Sequence, residues 1–334
     1  MKKIKVAQIG TSKNSHGNDI WNTITNQKDI FDVVGYAFPE DEREKFPERA
    51  QAFDGYKEMT VDEILNNPEI EAVAVETEEI YLTKYALMVA NAGKHLHMEK
   101  PGGVELADFE KLVEILKCKK LAFSTGYMYR FNPKIQEALA KVKNGELGEI
   151  YSVEVHMDCK HPANVRQWLK NFPGGMMFFL GCHLVDLIYQ IQGEPEEVIP
   201  LNCSTGFEDV TASDYGMVVF KYKNGISFAK TCATEIGGFV RRQLVICGEK
   251  GTIEIKPIEV SAKNGPYSFY STANEVISTE LHDVWTATKS ETYDRYDKMM
   301  RNFAEIVRGK ENPYSYDYEM SLYKLILRSC GKEV

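Results

Sequence analysis

Lys100 closes the segment Gly93-Lys-His-Leu-His-Met-Glu-Lys-Pro101, and its placement makes it a candidate for chemistry. Upstream, Glu71-Ala-Val-Ala-Val75 is a short apolar run of the kind that a strand covered on both faces requires. Tyr81 to Ala92 reads as a helix, with Tyr85, Leu87, Met88 and Ala92 near helical spacing. Gly93 can adopt the left-handed conformation that ends a helix, and Lys94 sits where the C-terminal dipole favours a cation. His95 to Met98 then reads as the next strand, so Glu99 and Lys100 emerge at its carboxyl end, the edge where open α/β sheets bind ligands. Pro101 disfavours the helical region for the residue before it and so holds Lys100 extended. A lysine fixed there can polarise a substrate oxygen or pass a proton. The three residues alone would better describe a surface lysine before a proline that ends a strand; the surrounding strand–helix–strand pattern favours chemistry.

A second group has ligand chemistry. His156-Met-Asp158-Cys-Lys-His161, together with His183, supplies imidazole and carboxylate groups suited to zinc or manganese. His156 and Asp158, two residues apart on a strand, share one face. Loop histidines without metal are the commoner arrangement, and the expectation is no metal. Nearby, Arg166 and Trp168 suit a sugar: a guanidinium bonds hydroxyls and an indole packs on apolar C–H faces. Trp168 reads equally well as plain core.

These residues need elements to hold them. The first 125 residues alternate strand and helix patterns: strands at Ile4–Ile9, Phe31–Phe38, Ala72–Val75, His95–Met98 and Leu121–Thr125, and helices around Asp19–Thr25, Val61–Leu65, Tyr81–Ala92 and Glu105–Lys117. Such alternation predicts a doubly wound parallel sheet of the Rossmann type. Afterwards the pattern changes. Pro133–Lys143 is helical, Glu149–His156 is a strand, and Met177–Gln192 is a helix capped by Gly193. From Val198 to Ile255 strand patterns follow one another, broken by the turn signals Asn224-Gly225 and Lys250-Gly251, which predicts a large, mainly antiparallel sheet. The reading is a dinucleotide-binding domain over 1–125 and an α+β domain for substrate and oligomerisation over 126–334. The helices around Asp294–Val307 and Tyr318–Ser329 are expected to pack back against the rest.

A dinucleotide fold should place glycines after its first strand, so that backbone amides at a helix N-terminus meet the pyrophosphate. The loop here is Gly10-Thr-Ser-Lys-Asn-Ser-His-Gly17, with Thr11 and Ser12 following the first glycine and Ser12 standing where a second is expected. It reads as phosphate binding or as plain turns, about evenly. Past the second strand, Glu40 or Asp41 would reach the adenosine ribose and repel a 2′-phosphate, which tilts the cofactor towards NAD without excluding NADP. A solvated acidic turn is the competing reading for either residue.

The bulk numbers set limits. A chain of 334 residues can hold two cores, and 43% hydrophobic with 27% charged residues is ordinary for a globular protein. A net charge of -9 argues against a nucleic-acid groove, which needs clustered Lys and Arg. Met1-Lys-Lys runs straight into the first strand and no apolar run is long enough for a bilayer, so neither a signal peptide nor a membrane is expected. Seven cysteines scattered without a CxxC pair read as reduced thiols in a cytoplasmic protein.

The Glu99-Lys100-Pro101 segment resembles that of the glucose–fructose oxidoreductase / inositol dehydrogenase family (Gfo/Idh/MocA). In that family this motif closes the nicotinamide domain, its lysine is catalytic and its Lys–Pro bond is often cis. Gly126-Tyr-Met-Tyr-Arg-Phe-Asn-Pro133 is similar to the family's junction segment, where Arg130 would orient a substrate hydroxyl or tie the domains together. Gly174-Gly175 leading to Gly181, His183 and Asp186 resembles the family's Gly-Gly…Asp-x-Gly-x-His-x-x-Asp helix, and Gly248-Glu-Lys-Gly-Thr252 matches within the sheet domain. The resemblance implies that His183 is the general base on a sugar hydroxyl and that Asp186, one turn on, supports it or satisfies nearby backbone. Three positions depart from the pattern. Phe179 replaces the aspartate four residues before the histidine, Ser12 replaces a glycine, and Thr77-Glu78-Glu79 stands where the family has Thr-Pro-Asn, so only Thr77 carries over as a cofactor contact, with Glu99 and Lys100.

The resemblance implies an NAD-dependent oxidoreductase acting on a secondary hydroxyl of a sugar, glycoside or cyclitol. The alternatives are a catalytically silent ligand-binding or regulatory member, or a redox-neutral enzyme that keeps its nicotinamide. A homodimer or homotetramer is expected through the helix-free face of the second sheet, with Val218, Phe220 and Tyr222 alternating along one of its strands.

Overall fold

The structure is a computed structural model that describes residues 2–262, 268–277 and 284–334. The chain divides into two compact units, residues 1–127 with 296–323, and residues 128–295 with 324–334.

In the first unit, β1 (Ile4–Ile9), β2 (Phe31–Ala37), β3 (Ala72–Val75), β4 (His95–Met98) and β5 (Phe123–Thr125) form one parallel sheet in the order β2-β1-β3-β4-β5. The order reverses between β1 and β3. Val6, Ala7, Ile9 and all of Ala72–Val75 are buried, as strands covered on both faces must be. The connecting helices are α1 (Gly17–Asn26), the short α2 (Glu42–Lys45) and α3 (Pro47–Ala50), α4 (Val61–Asn66), α5 (Leu82–Asn91) and α6 (Leu106–Lys119). Helix α4 starts in a capping box, Thr60 accepting from the Glu63 amide while the Glu63 carboxylate accepts from the Thr60 amide. These elements match the expected ones to within a few residues, and the sheet is the parallel, doubly wound one expected.

The second unit is built on an eight-stranded sheet. Its members are β6 (Ile150–Asp158), β7 (Glu197–Cys203), β8 (Tyr215–Tyr222), β9 (Gly225–Cys232), β10 (Gln243–Gly248), β11 (Gly251–Ile255), β14 (Thr272–Ile277) and β15 (Thr286–Lys289), in the order β15-β14-β11-β10-β6-β9-β8-β7. Strands β12 (Val260–Ser261), β13 (Ser268–Tyr270) and β16 (Tyr293–Asp294) make a small separate sheet. Every pair in the large sheet is antiparallel except β6 with β9. Helix α7 (Pro133–Lys143) is capped by Asn132, whose side chain accepts from the amides of Lys134 and Ile135; α8 (Ala163–Trp168) follows β6. A π-helical turn at Met177–Gly181 runs into α9 (Cys182–Gln192), which ends at Gly193 with φ of 71°. Helix α10 (Asp297–Val307) packs on α1 and β5, and α11 (Tyr316–Ser329) ends the chain.

The expected orientation of β8 is reversed. Val218 and Phe220 are fully buried, and Tyr222 donates its hydroxyl to the Gly193 carbonyl at 3.1 Å. A Cβ on Gly216, in the same row, would lie 3.2 Å from Met177 of the π turn. This row therefore faces the helical layer. Among the described residues no helix covers the other face, where Ile199 pairs with Val219, Val219 with Phe228, and Leu201 with Met217. The reversal has a simple cause. Strand β8 is apolar on both rows, so a period of two could not tell inside from outside.

Candidate active site

The first unit gathers its chemistry at the carboxyl ends of β1, β3 and β4. Gly10 takes φ of 92° directly after β1, and a Cβ there would lie 2.6 Å from the Thr77 backbone, so only glycine allows this approach. The Gln8 side chain, fully buried, donates to the carbonyls of Gly10 at 3.0 Å and Gly17 at 2.9 Å and ties the two ends of the loop together. The Ser12 amide donates to the Glu76 carbonyl at 3.0 Å. Arg49 donates to the Thr11 and Ser15 carbonyls. The amides of Lys13, Asn14, Ser15 and His16 have no acceptor among the described residues, and they precede the first turn of α1. Unpaired amides at a helix N-terminus suit a pyrophosphate, and Lys13, Lys45 and Arg49 line an adjoining cavity of about 440 Å³.

Glu40, expected at the ribose, already has partners within the protein. Glu40 accepts from Lys84 at 2.6 Å and Tyr85 at 2.7 Å, which holds it against α5. Glu42 lies closer to the loop. It is buried and its Oε2 accepts from the Thr11 amide at 2.8 Å, while burial pushes its carboxyl up to about 8 against the pull of that amide. Sequence reasoning missed Glu42 because the partner lies 31 residues away.

Lys100 is 3% exposed at the end of β4, and its peptide bond to Pro101 is cis. Its Nζ lies 3.8 Å from Glu99 Oε1, which also accepts from the Lys100 amide at 3.0 Å. Glu76, Thr77 and Glu79, which follow β3, are fully buried, and the side-chain oxygens of all three have no hydrogen-bond partner among the described residues. Burial raises the Glu79 carboxyl to about 7, with Lys100 the main opposing charge. Burial also drives Glu76 well above the carboxylate range, Glu99 adding repulsion. His97 Nε2 stands 3.6 Å from Glu76 Oε1, but this is no ion pair: burial lowers the imidazole to about 3, so both groups are neutral.

In the second unit His183 lies in the first turn of α9, 1% exposed, with the Tyr129 ring edge-on at 5.1 Å. Tyr129 is itself held, donating to Glu259 at 2.6 Å and accepting from Arg242 at 2.8 Å, with Arg295 bonding the same carboxylate. Asp186 is committed to Arg130 through three bonds of 2.8 to 3.1 Å and to Gln190 at 2.9 Å. Arg130 and Asp186 are thus a buried ion pair inside this unit. Arg166, read as a sugar contact, is 1% exposed and bonds Asp214 at 2.9 Å, Glu208 and the Phe207 carbonyl; the guanidinium fastens a loop. Trp168 packs edge-on against Phe172 and Phe179, and the His161 ring lies 6.4 Å from Phe179. Phe179 therefore extends an aromatic cluster where a carboxylate was expected.

Asp158 is buried and pairs with Lys230 at 3.1 Å, and burial raises its carboxyl to about 6 and lowers His156 to about 4. Among the described residues, His156, Asp158, His161 and His183 form no group that could hold a metal ion.

Residues 4–127 match the oxidoreductase family with an NAD-binding Rossmann fold, and residues 135–254 match the GFO/IDH/MocA C-terminal domain. The chain belongs to the Gfo/Idh/MocA oxidoreductase family. It is 33% identical over 139 residues to the uncharacterized oxidoreductase YhhX of Escherichia coli, covering 41% of this chain and 40% of that protein. It is 25% identical over 236 residues to the myo-inositol 2-dehydrogenase of Thermotoga maritima, covering 68% of this chain and 69% of that one. The structure of levoglucosan dehydrogenase, in complex with NADH and levoglucosan, shares the fold with a TM-score of 0.79 at 17% identity, over 100% of this chain and 98% of that one. The first unit of this Gfo/Idh/MocA protein is an NAD-binding domain, and the unpaired loop amides and neighbouring cations fit that cofactor's phosphates. Among the described residues no helix is long and apolar enough to cross a membrane.

Proposed function

We propose that the protein is an NAD(P)-dependent dehydrogenase oxidising a secondary hydroxyl of a sugar, glycoside or cyclitol. The observation that carries the reading is Lys100, a buried ammonium fixed at the carboxyl edge of the sheet, where ligands of such folds bind. Lys100 binds and polarises the hydroxyl oxygen, and His183 accepts its proton. A nicotinamide bound there would supply the hydride acceptor. Kinship with the inositol dehydrogenase supports a polyol substrate. The loop of Gly10, Thr11, Ser12 and Gly17, with Thr77 and Glu99, borders the cofactor. His161 and Trp168 are the residues we assign to the substrate. Dispersed free cysteines support a cytoplasmic location.

The test is a thermal melt with NAD and NADP on protein freed of nicotinamide, followed by absorbance assays over a polyol panel. Cofactor at a hundred times its dissociation constant adds about 2.7 kcal/mol of stability. A melt unmoved by millimolar NAD or NADP favours the silent, ligand-binding alternative, motivated by Ser12, Glu78-Glu79 and Phe179 together.

We further propose a homodimer or homotetramer that buries the uncovered sheet face. Leu201 and Ile226 are 53% and 59% exposed there, beside the half-buried Met217, Val219 and Phe228. Light scattering at micromolar concentration should give at least twice the chain mass, and Leu201→Lys together with Ile226→Lys should yield monomers. A wild-type monomer refutes it.

A further inference from the structure

The segment after β3 carries more negative chemistry than its surroundings can balance. Glu76, Glu79 and Glu99 are each at most 1% exposed, and the Lys100 ammonium is the cation facing all three. The other titratable groups around them do not help. Glu78 precedes Glu79 in the same segment, His97 on β4 is neutral, and Asp19 on α1 faces Glu76 while engaging His16 at 3.1 Å. Both carboxyl oxygens of Glu76 and the buried Thr77 hydroxyl lack hydrogen-bond partners among the described residues, and the Glu79 carboxyl has no side-chain partner there, only the weak pull of its own amide. Buried polar atoms without partners are costly in a native fold unless something completes them.

The position indicates what does so. These residues lie at the point where strand order reverses, between β1 and β3. With the loop amides, and the Lys13, Lys45 and Arg49 of the adjoining cavity, assigned to the phosphates, the nicotinamide end would fall to β3 and β4. Oxidised nicotinamide is a cation and reduced nicotinamide is neutral, while the rest of the cofactor carries the same charge in both. A fixed charge in a buried setting distinguishes such a pair strongly.

We propose that Glu79, with Glu76, forms a charge-compensation site for the cationic nicotinamide ring, so that oxidised cofactor binds more tightly than reduced cofactor and expels a proton as it binds. The proposal rests on the dehydrogenase reading and adds a selection between redox states. In the free protein Glu79 is partly protonated near neutrality. The arriving ring charge favours the carboxylate, and the proton leaves to solvent. The reduced ring would bring no charge to hold, so the Glu79 carboxyl would keep its proton and the reduced cofactor would be held less tightly.

The sign of the pH effect follows from the raised carboxyl. Below about pH 7 the affinity for oxidised cofactor should rise with pH, by at most tenfold per unit, and level off by about pH 8. Reduced cofactor should show no such slope.

The experiment is calorimetric titration of the intact, nicotinamide-free chain with NAD⁺ and NADH from pH 6 to 8.5. Buffers of different ionisation enthalpy are compared at each pH to count protons, MES with imidazole below pH 7 and HEPES with Tris above it, and NADP⁺ with NADPH are used should they bind more tightly. The expected result at pH 6.5 is release of roughly half a proton or more with the oxidised form and almost none with the reduced form. Glu79→Gln should abolish that release and weaken the oxidised form about tenfold, leaving the reduced form within twofold. Where Glu79→Gln does not fold, the wild-type proton count decides, with Glu76→Gln as the second variant. Equal proton release for both redox forms, or undiminished release in folded variants, overturns the proposal while leaving the dehydrogenase reading intact. Binding of neither cofactor overturns both.

Discussion

Lys100→Met should lower kcat/KM for the active polyol by about 10³-fold or more, with cofactor still binding. Methionine keeps the length and volume of the side chain, so the buried space at the end of β4 stays filled while the ammonium is lost. A charge aimed at the oxygen where negative charge develops accounts for a loss of this size. The carboxyl of Glu79 rises further in this variant, because Lys100 is the main charge holding it down. His183→Ala should cost a comparable factor through the lost proton acceptor, typically 10²- to 10⁴-fold. Steady-state kinetics with calorimetry of cofactor binding separates chemistry from cofactor affinity. Near-native turnover in His183→Ala would move the base elsewhere, with Asp158 and His161 the next residues to replace.

The second large effect is on stability. Arg130→Met leaves the Asp186 carboxylate buried without its three bonds and should destabilise the second unit by about 3–5 kcal/mol. Asp186→Ala should cost a similar amount. The double variant should recover part of the loss, since neither charge then remains stranded. Urea unfolding of the four proteins measures this. A single-variant cost under about 1 kcal/mol would mean that Gln190, water or another group compensates the remaining charge, and that the pair does not hold this unit together.

How much of this was legible in the sequence depended on the range over which each residue is determined. Strands β1, β3 and β4 were readable to the residue because a short apolar run between helix signals allows few other outcomes. The cis Lys100–Pro101 bond followed from the motif's resemblance. Partners distant in the chain were not readable. Arg166 looked like a free guanidinium, yet Asp214 waits 48 residues on. Glu40 looked free for a ribose, yet Lys84 and Tyr85 come from another helix. Phe179 was placed by counting at the α-helical period, but Met177–Gly181 winds as a π turn, so spacing there does not translate into a shared face. The acidic segment after β3 was visible as a departure from the family; the complete burial of Glu76 and Glu79, which makes it chemically interesting, was not.

The return of residues 296–323 to the first unit has a consequence for how the protein is made. On a ribosome the parallel sheet emerges first, but its closing pieces are separated from Tyr127 by the whole of Met128–Arg295. At ordinary elongation rates that interval lasts roughly ten to thirty seconds. Throughout it Phe303, which contacts His97, has not been synthesised, nor has Glu319, which accepts from Thr125, nor Tyr323, which donates to the Gly103 carbonyl. The nascent sheet therefore waits with an uncovered apolar side, and residues 128–295 are synthesised before it can close. Chaperone demand should concentrate in this window of synthesis, and a chain cut before Tyr296 would be left permanently in that unfinished state.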